Sequence, residues 1–85
     1  MQWVKFAVYD AKVASSHLPW YAPTRSSGLR TWHYMCNKEG NEYNNYPGDY
    51  TLYELAYYET DTMDEIMHDN KIDHGIAQIQ VGKEI

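Results

Sequence analysis

The chain has 85 residues, a net charge of −5 and one cysteine. A chain this short makes one domain and buries only roughly 60–65% of its unfolded surface, so its nine tyrosines and three tryptophans must supply much of a thin core. The lone Cys36 excludes an internal disulfide, and no apolar run is long enough for a membrane-spanning helix.

Residues 3–9 alternate. Val4, Phe6 and Val8 make an apolar face, and Trp3, Lys5, Ala7 and Tyr9 the other, which predicts a first strand ended by Asp10. Residues 11–23 have no clear period. Pro19 and Pro23 bracket Trp20 and Tyr21 and keep the backbone extended, so these two rings are expected in a loop, as a lid over the sheet or as an exposed stacking platform. A helix follows, capped by Thr24 or Ser26. Leu29, Trp32, His33 and Cys36 form its inward stripe, and Arg30, Tyr34 and Lys38 recur on the outer side. Gly28 weakens the first turn but permits close approach to another group, and Lys38-Glu39-Gly40 is a stop signal.

Residues 41–45 read as a polar linker, and Tyr46-Pro47-Gly48-Asp49 as a turn. The next strand, residues 50–59, is the expected centre of the sheet. A period of two puts Leu52, Glu54, Ala56 and Tyr58 on one side, and Thr51, Tyr53, Leu55 and Tyr57 on the other. Thr60-Asp61-Thr62 reads as a hairpin turn. Residues 63–68 are a short third strand or a single helical turn, His68-Asp69-Asn70-Lys71 is a further turn, and residues 72–81 are a fourth, edge strand. The whole is α+β: a small, mainly antiparallel β-sheet with one α-helix packed across it, in a single domain 1–85. A parallel pairing of the first two long strands through a right-handed crossover is the alternative.

Residues 1–38 hold five bases and one acid, and residues 39–85 two bases and eleven acids. Such asymmetry can mark a basic binding face beside an acidic one. Chemistry is otherwise sparse. His33 and Cys36 lie one turn apart, and His68 and His74 would have to complete a metal site. Their spacing does not require this, and the neighbouring Leu29 and Trp32 indicate a core face. No metal, cofactor or catalytic group is therefore expected. What remains is a set of bases interleaved with aromatics. Lys12, Arg25, Arg30 and Lys38 would neutralise phosphates, and Trp20, Tyr21 and Tyr34 would offer rings to unpaired bases.

Several of these stretches resemble the small nonstructural protein of gokushovirus-type microviruses, bacteriophages with a single-stranded DNA genome. They are Val8-Tyr9-Asp10-Ala11-Lys12, Pro19-Trp20-Tyr21-Ala22-Pro23-Thr24, Gly28-Leu29-Arg30 and Asn45-Tyr46-Pro47-Gly48-Asp49-Tyr50-Thr51-Leu52-Tyr53. The resemblance covers about residues 4–59; Tyr46, Gly48 and Ala56 depart from the pattern, and residues 60–85 read as a variable tail. It implies a non-enzymatic protein of the host cytoplasm that supports single-stranded DNA synthesis or packaging, by contacting the DNA or by binding a phage or host replication protein. The thin core and free sheet edges predict a homodimer or larger assembly.

Overall fold

The alternation of residues 3–9 is realised in β1 (Gln2–Asp10), whose Val4, Phe6 and Val8 are buried in the core. The computed structural model describes residues 1–79. After β1 come β2 (Ser15–Ser16), β3 (Trp20–Ala22), α1 (Arg25–Asn37), α2 (Glu42–Asn45), a 3₁₀ turn (Pro47–Asp49), β4 (Tyr50–Glu59) and β5 (Asp64–Ile76). The architecture is α+β, with every strand pairing antiparallel. β1 and β4 lie side by side, β5 closes the far edge, and β2 and β3 share the other edge of β1. The parallel alternative is therefore set aside. Residues 11–23 are also corrected. They are not irregular, because the free edge of β1 recruits both Ser15–Ser16 and Trp20–Ala22 into ladders.

α1 starts where expected. The Thr24 hydroxyl accepts from Ser27 N–H at 3.0 Å, and the Ser27 hydroxyl accepts from Thr24 N–H at 3.2 Å, a reciprocal cap on two first-turn donors. Trp32 and Cys36 pack with Val4, Phe6, Val8 and Leu52, with Leu29 partly buried beside them. Gly28 makes a close approach possible, here to a ring: a Cβ on it would sit 2.1 Å from Phe6 Cε2. Residues 42–45 depart from the expected linker. Asn41 caps them as the short α2, and the side chains of Asn41 and Asn44 donate to the carbonyls of Met35 and Cys36, which satisfies the end of α1.

Two irregularities change the reading of the second half. Leu55 has no partner in the ladder, so the register shifts there against β1 and again against β5. Beyond the bulge the faces exchange. Tyr57 pairs with Val4 and joins Leu52 and Glu54 on the helix side, whereas Ala56 and Tyr58 pair with Lys5 and Trp3 on the open side. β5 is one long strand rather than two short ones. The expected turn at 68–71 is a bulge opposite Leu55, and a smaller one follows at His74 and Gly75, where Gly75 takes φ +90°. The strand ends at Ile76; the expected positions Gln80 and Val81 lie outside the described residues.

Candidate nucleic-acid interface

α1 covers one face of the sheet and leaves the other uncovered. Strand alternation brings Trp3, Lys5, Ala7 and Tyr9 of β1 to the uncovered face, with Tyr21 of β3 opposite Lys5, and Tyr53 and Tyr58 of β4 opposite Ala7 and Trp3. Tyr9 and Tyr21 are exposed, and Trp3, Tyr53 and Tyr58 are half-buried. Trp3, Tyr21, Tyr58 and Thr60 line a cleft of about 330 Å³, in which the Tyr21 and Tyr58 rings meet edge-on at 5.6 Å. A smaller hollow of about 160 Å³ lies between Ala7, Tyr9, Ser16, Tyr53, Leu55 and Lys71. Trp3 and Tyr9 stand roughly 20 Å apart along β1, so the two hollows make a track rather than a point.

The cations of this face are held in place. Lys5 Nζ lies 2.8 Å from Glu65 Oε2, a contact that raises the lysine's pKa and lowers the carboxylate's, and the Tyr21 hydroxyl donates to Glu65 Oε1 at 2.8 Å. Lys71 Nζ stands over the Tyr53 ring at 5.6 Å. The predicted separation into a basic and an acidic face dissolves here. Lys5–Glu65, Arg25–Glu54 and the amino terminus with Glu59 and Asp61 all join the basic first half to the acidic second half.

On the helix side lies a buried charge. Glu54 has no exposed surface. Arg25 Nε and Nη2 donate to its two oxygens at 2.7 and 2.9 Å, and the Nε2 atoms of His68 and His74 lie at 2.8 and 3.0 Å. A carboxylate brings no hydrogen, so each imidazole presents an N–H at Nε2. Arg25 above all, with the histidines, outweighs desolvation and holds the Glu54 carboxyl down at about 2. Both histidines come from the bulges of β5, so the cluster clasps the edge strand to β4 and α1. Sequence reasoning missed it because the partners lie 14, 20 and 29 positions from Glu54. The only available signal was an acid in the middle of an otherwise apolar strand.

The family described as Phage ORF5 protein matches residues 4–78. The chain belongs to that family. No curated protein and no solved structure matches it. The Phage ORF5 match runs beyond Glu59, where the resemblance read from sequence alone stops, and takes in β5 and both histidines of the Glu54 cluster. The chain is thus a bacteriophage protein, and its family description names no catalytic activity. Among the described residues no helix is long and apolar enough to cross a membrane.

This Phage ORF5 member does not bring the seven sequence-predicted contact residues together. Tyr21 alone joins the open face. Trp20 is turned to the helix side and stacks on Phe6 at 5.0 Å, as part of the roof of the core. Arg25 is committed to Glu54. Arg30, Tyr34 and Lys38 are exposed on the outer stripe of α1, on the other side of the sheet from Tyr21. Lys12 lies in the β1–β2 connection with its Nζ 5.8 Å from the Tyr46 ring centre. The missed residues of the open face, Trp3, Tyr9, Tyr53 and Tyr58, were readable as one side of two strands once the bulge at Leu55 was known. Cys36 is buried, and desolvation pushes its thiol up to about 11, far from a reactive thiolate.

Proposed function

We propose that this phage protein binds single-stranded DNA across the open face of its sheet and supports single-stranded genome synthesis or packaging without catalysing a reaction. One observation carries the reading: Trp3, Tyr9, Tyr21, Tyr53 and Tyr58 share the face that no helix among the described residues covers, flanked by Lys5 and Lys71. Ring faces on an antiparallel sheet stack on unpaired bases, which a duplex does not offer. The resemblance to microvirus nonstructural proteins supports single-stranded DNA as the target. The net charge of −5 opposes long-range attraction, so stacking carries most of the affinity and the cations little.

The experiment is a fluorescence titration of the full chain with single-stranded and duplex oligonucleotides at several salt concentrations. Two lysines at about −0.7 each give a slope of about −1.4 in log K against log salt. Tyr21→Ala and Tyr58→Ala should each weaken single-strand binding by about 1–3 kcal/mol. Arg30→Ala with Lys38→Ala should leave it unchanged. Absence of binding at low salt removes the proposal, and a loss confined to the helix variants moves the site to α1. The rival reading, a module that binds a phage or host replication protein, draws on the exposed Ile66, Met67, Ile72 and Ile76 of β5. It predicts no salt-sensitive DNA binding at all.

A further inference from the structure

We propose that Asp10, His17 and Glu42 form a binding site for one divalent transition-metal cation of the Zn²⁺ or Mn²⁺ kind. They come from three separate segments: the end of β1, the residue after β2 and the start of α2. Each offers one ligand atom, and these atoms lie within 4.8 Å of one another. Asp10 is buried, 8% exposed, yet no lysine, arginine or histidine makes an ion pair with it among the described residues. Its one hydrogen-bond partner there is neutral: the Lys12 backbone N–H, at 3.0 Å from Oδ1. Oδ2 has no protein partner there and is not sealed from solvent, so it is left for a cation. The neighbour that approaches it is a second carboxylate, Glu42, which adds repulsion rather than relief.

The third member separates this set from a solvated acidic patch. His17 Nδ1 lies 2.7 Å from the Tyr43 hydroxyl, and the rings of Tyr43 and Tyr50 both stand 5.7 Å from the imidazole centre. When Nδ1 donates to Tyr43, Nε2 is left with a free lone pair, the usual way an outer hydroxyl orients a metal-binding imidazole. Tyr50 does the same for Glu42, donating to Oε1 at 2.8 Å and leaving Oε2 for a ligand bond. His17 makes no direct hydrogen bond to either carboxylate, so the three groups face a shared space rather than closing on one another.

One imidazole nitrogen with two carboxylates suits Zn²⁺ or Mn²⁺ better than Mg²⁺, which prefers oxygen alone and keeps its water. Ligands at about 2.1 Å from a tetrahedral ion lie roughly 3.4 Å apart, so a set within 4.8 Å need close by no more than about 1.4 Å. Glu42, exposed at the start of a four-residue helix, supplies that movement. The bound ion would tie the β1–β2 hairpin to α2 and keep at least one coordination position open to solvent.

Calorimetric titration of the full chain with Zn²⁺, Mn²⁺ and Mg²⁺ separately tests the site, with thermal unfolding as a second readout. One Zn²⁺ or Mn²⁺ per chain is expected at micromolar concentration, with a raised Tm and with Mg²⁺ at least tenfold weaker. His17→Gln and Glu42→Gln should each weaken binding at least tenfold while the circular dichroism stays unchanged, and His33→Gln should have no effect. The site is overturned by no binding at 100 µM, by binding that both His17→Gln and Glu42→Gln retain, or by binding lost only in His33→Gln. None of these outcomes depends on whether the open face binds DNA.

Discussion

Replacing Arg25 with Gln tests the buried charge that holds the edge strand. The substitution keeps most of the side-chain length and removes the cation. It leaves Glu54, with no exposed surface, facing only His68 and His74. The carboxyl is held at about 2 against a usual 4.5, which at about 1.36 kcal/mol per pH unit makes the cluster's contribution about 3 kcal/mol. Breaking a buried pair from one side costs about 3–5 kcal/mol in general, and Arg25 is 47% exposed, so about 3 kcal/mol is expected. Glu54→Gln should cost less, because the stranded Arg25 can turn to water. The double variant should resemble Glu54→Gln, which gives a coupling energy of about 3 kcal/mol in magnitude. Urea unfolding at pH 7 measures all three. The same pair fixes a pH dependence. A carboxyl whose folded pKa is depressed contributes stability above about 4.5 and loses it as pH falls through about 2, so wild type should lose about 3 kcal/mol from this group across that window. Glu54→Gln should lack that component. An Arg25→Gln chain within about 0.5 kcal/mol of wild type, or strictly additive single variants, would refute the reasoning.

Two further outcomes follow from the packing. Gly28→Ala should destabilise the domain by about 1–3 kcal/mol in thermal unfolding. The gain in helix propensity is only about 1 kcal/mol, whereas the new Cβ would meet a Phe6 ring that is fully buried and stacked on Trp20. Among the described residues β5 is a free edge carrying exposed Ile66, Met67, Ile72 and Ile76, a surface that favours pairing with a second copy. Sedimentation at micromolar concentration should give a species heavier than 10.0 kDa, and Ile72→Lys should return the monomer; a monomeric wild type would remove the expected dimer.

What the sequence disclosed was local. The alternation of Val4, Phe6 and Val8, the Thr24 cap and the spacing of Trp32 and Cys36 depend on neighbours within a few positions, and all three are found. What it concealed was non-local. Ser15–Ser16 and Trp20–Ala22 are too short to show a period, and they are strands because β1 offers them an edge. Residues 68–71 carry the chemistry of a turn, yet β4 continues alongside them, so the surplus residues bulge and the ladder resumes at Ile72.

The bulge at Leu55 also decides which site the molecule presents. Under an unbroken period of two, Tyr58 would share the helix side with Glu54, and Tyr57 would lie on the open face. With Leu55 outside the ladder, the Tyr57 hydroxyl instead accepts from Arg25 Nη2 at 3.3 Å above the Glu54 cluster, and the Tyr57 ring meets His68 edge-on at 4.8 Å. Tyr58 crosses to the open side, pairs with Trp3 and completes the cleft with Tyr21. One unpaired residue thus supplies a tyrosine to the buried charge cluster on one side and to the aromatic track on the other. A sequence reading that keeps strict alternation through residue 58 places both on the wrong face. The expected contact surface followed the bases of the first half instead, whereas five aromatics, Trp3, Tyr9, Tyr21, Tyr53 and Tyr58, share the opposite side of the sheet.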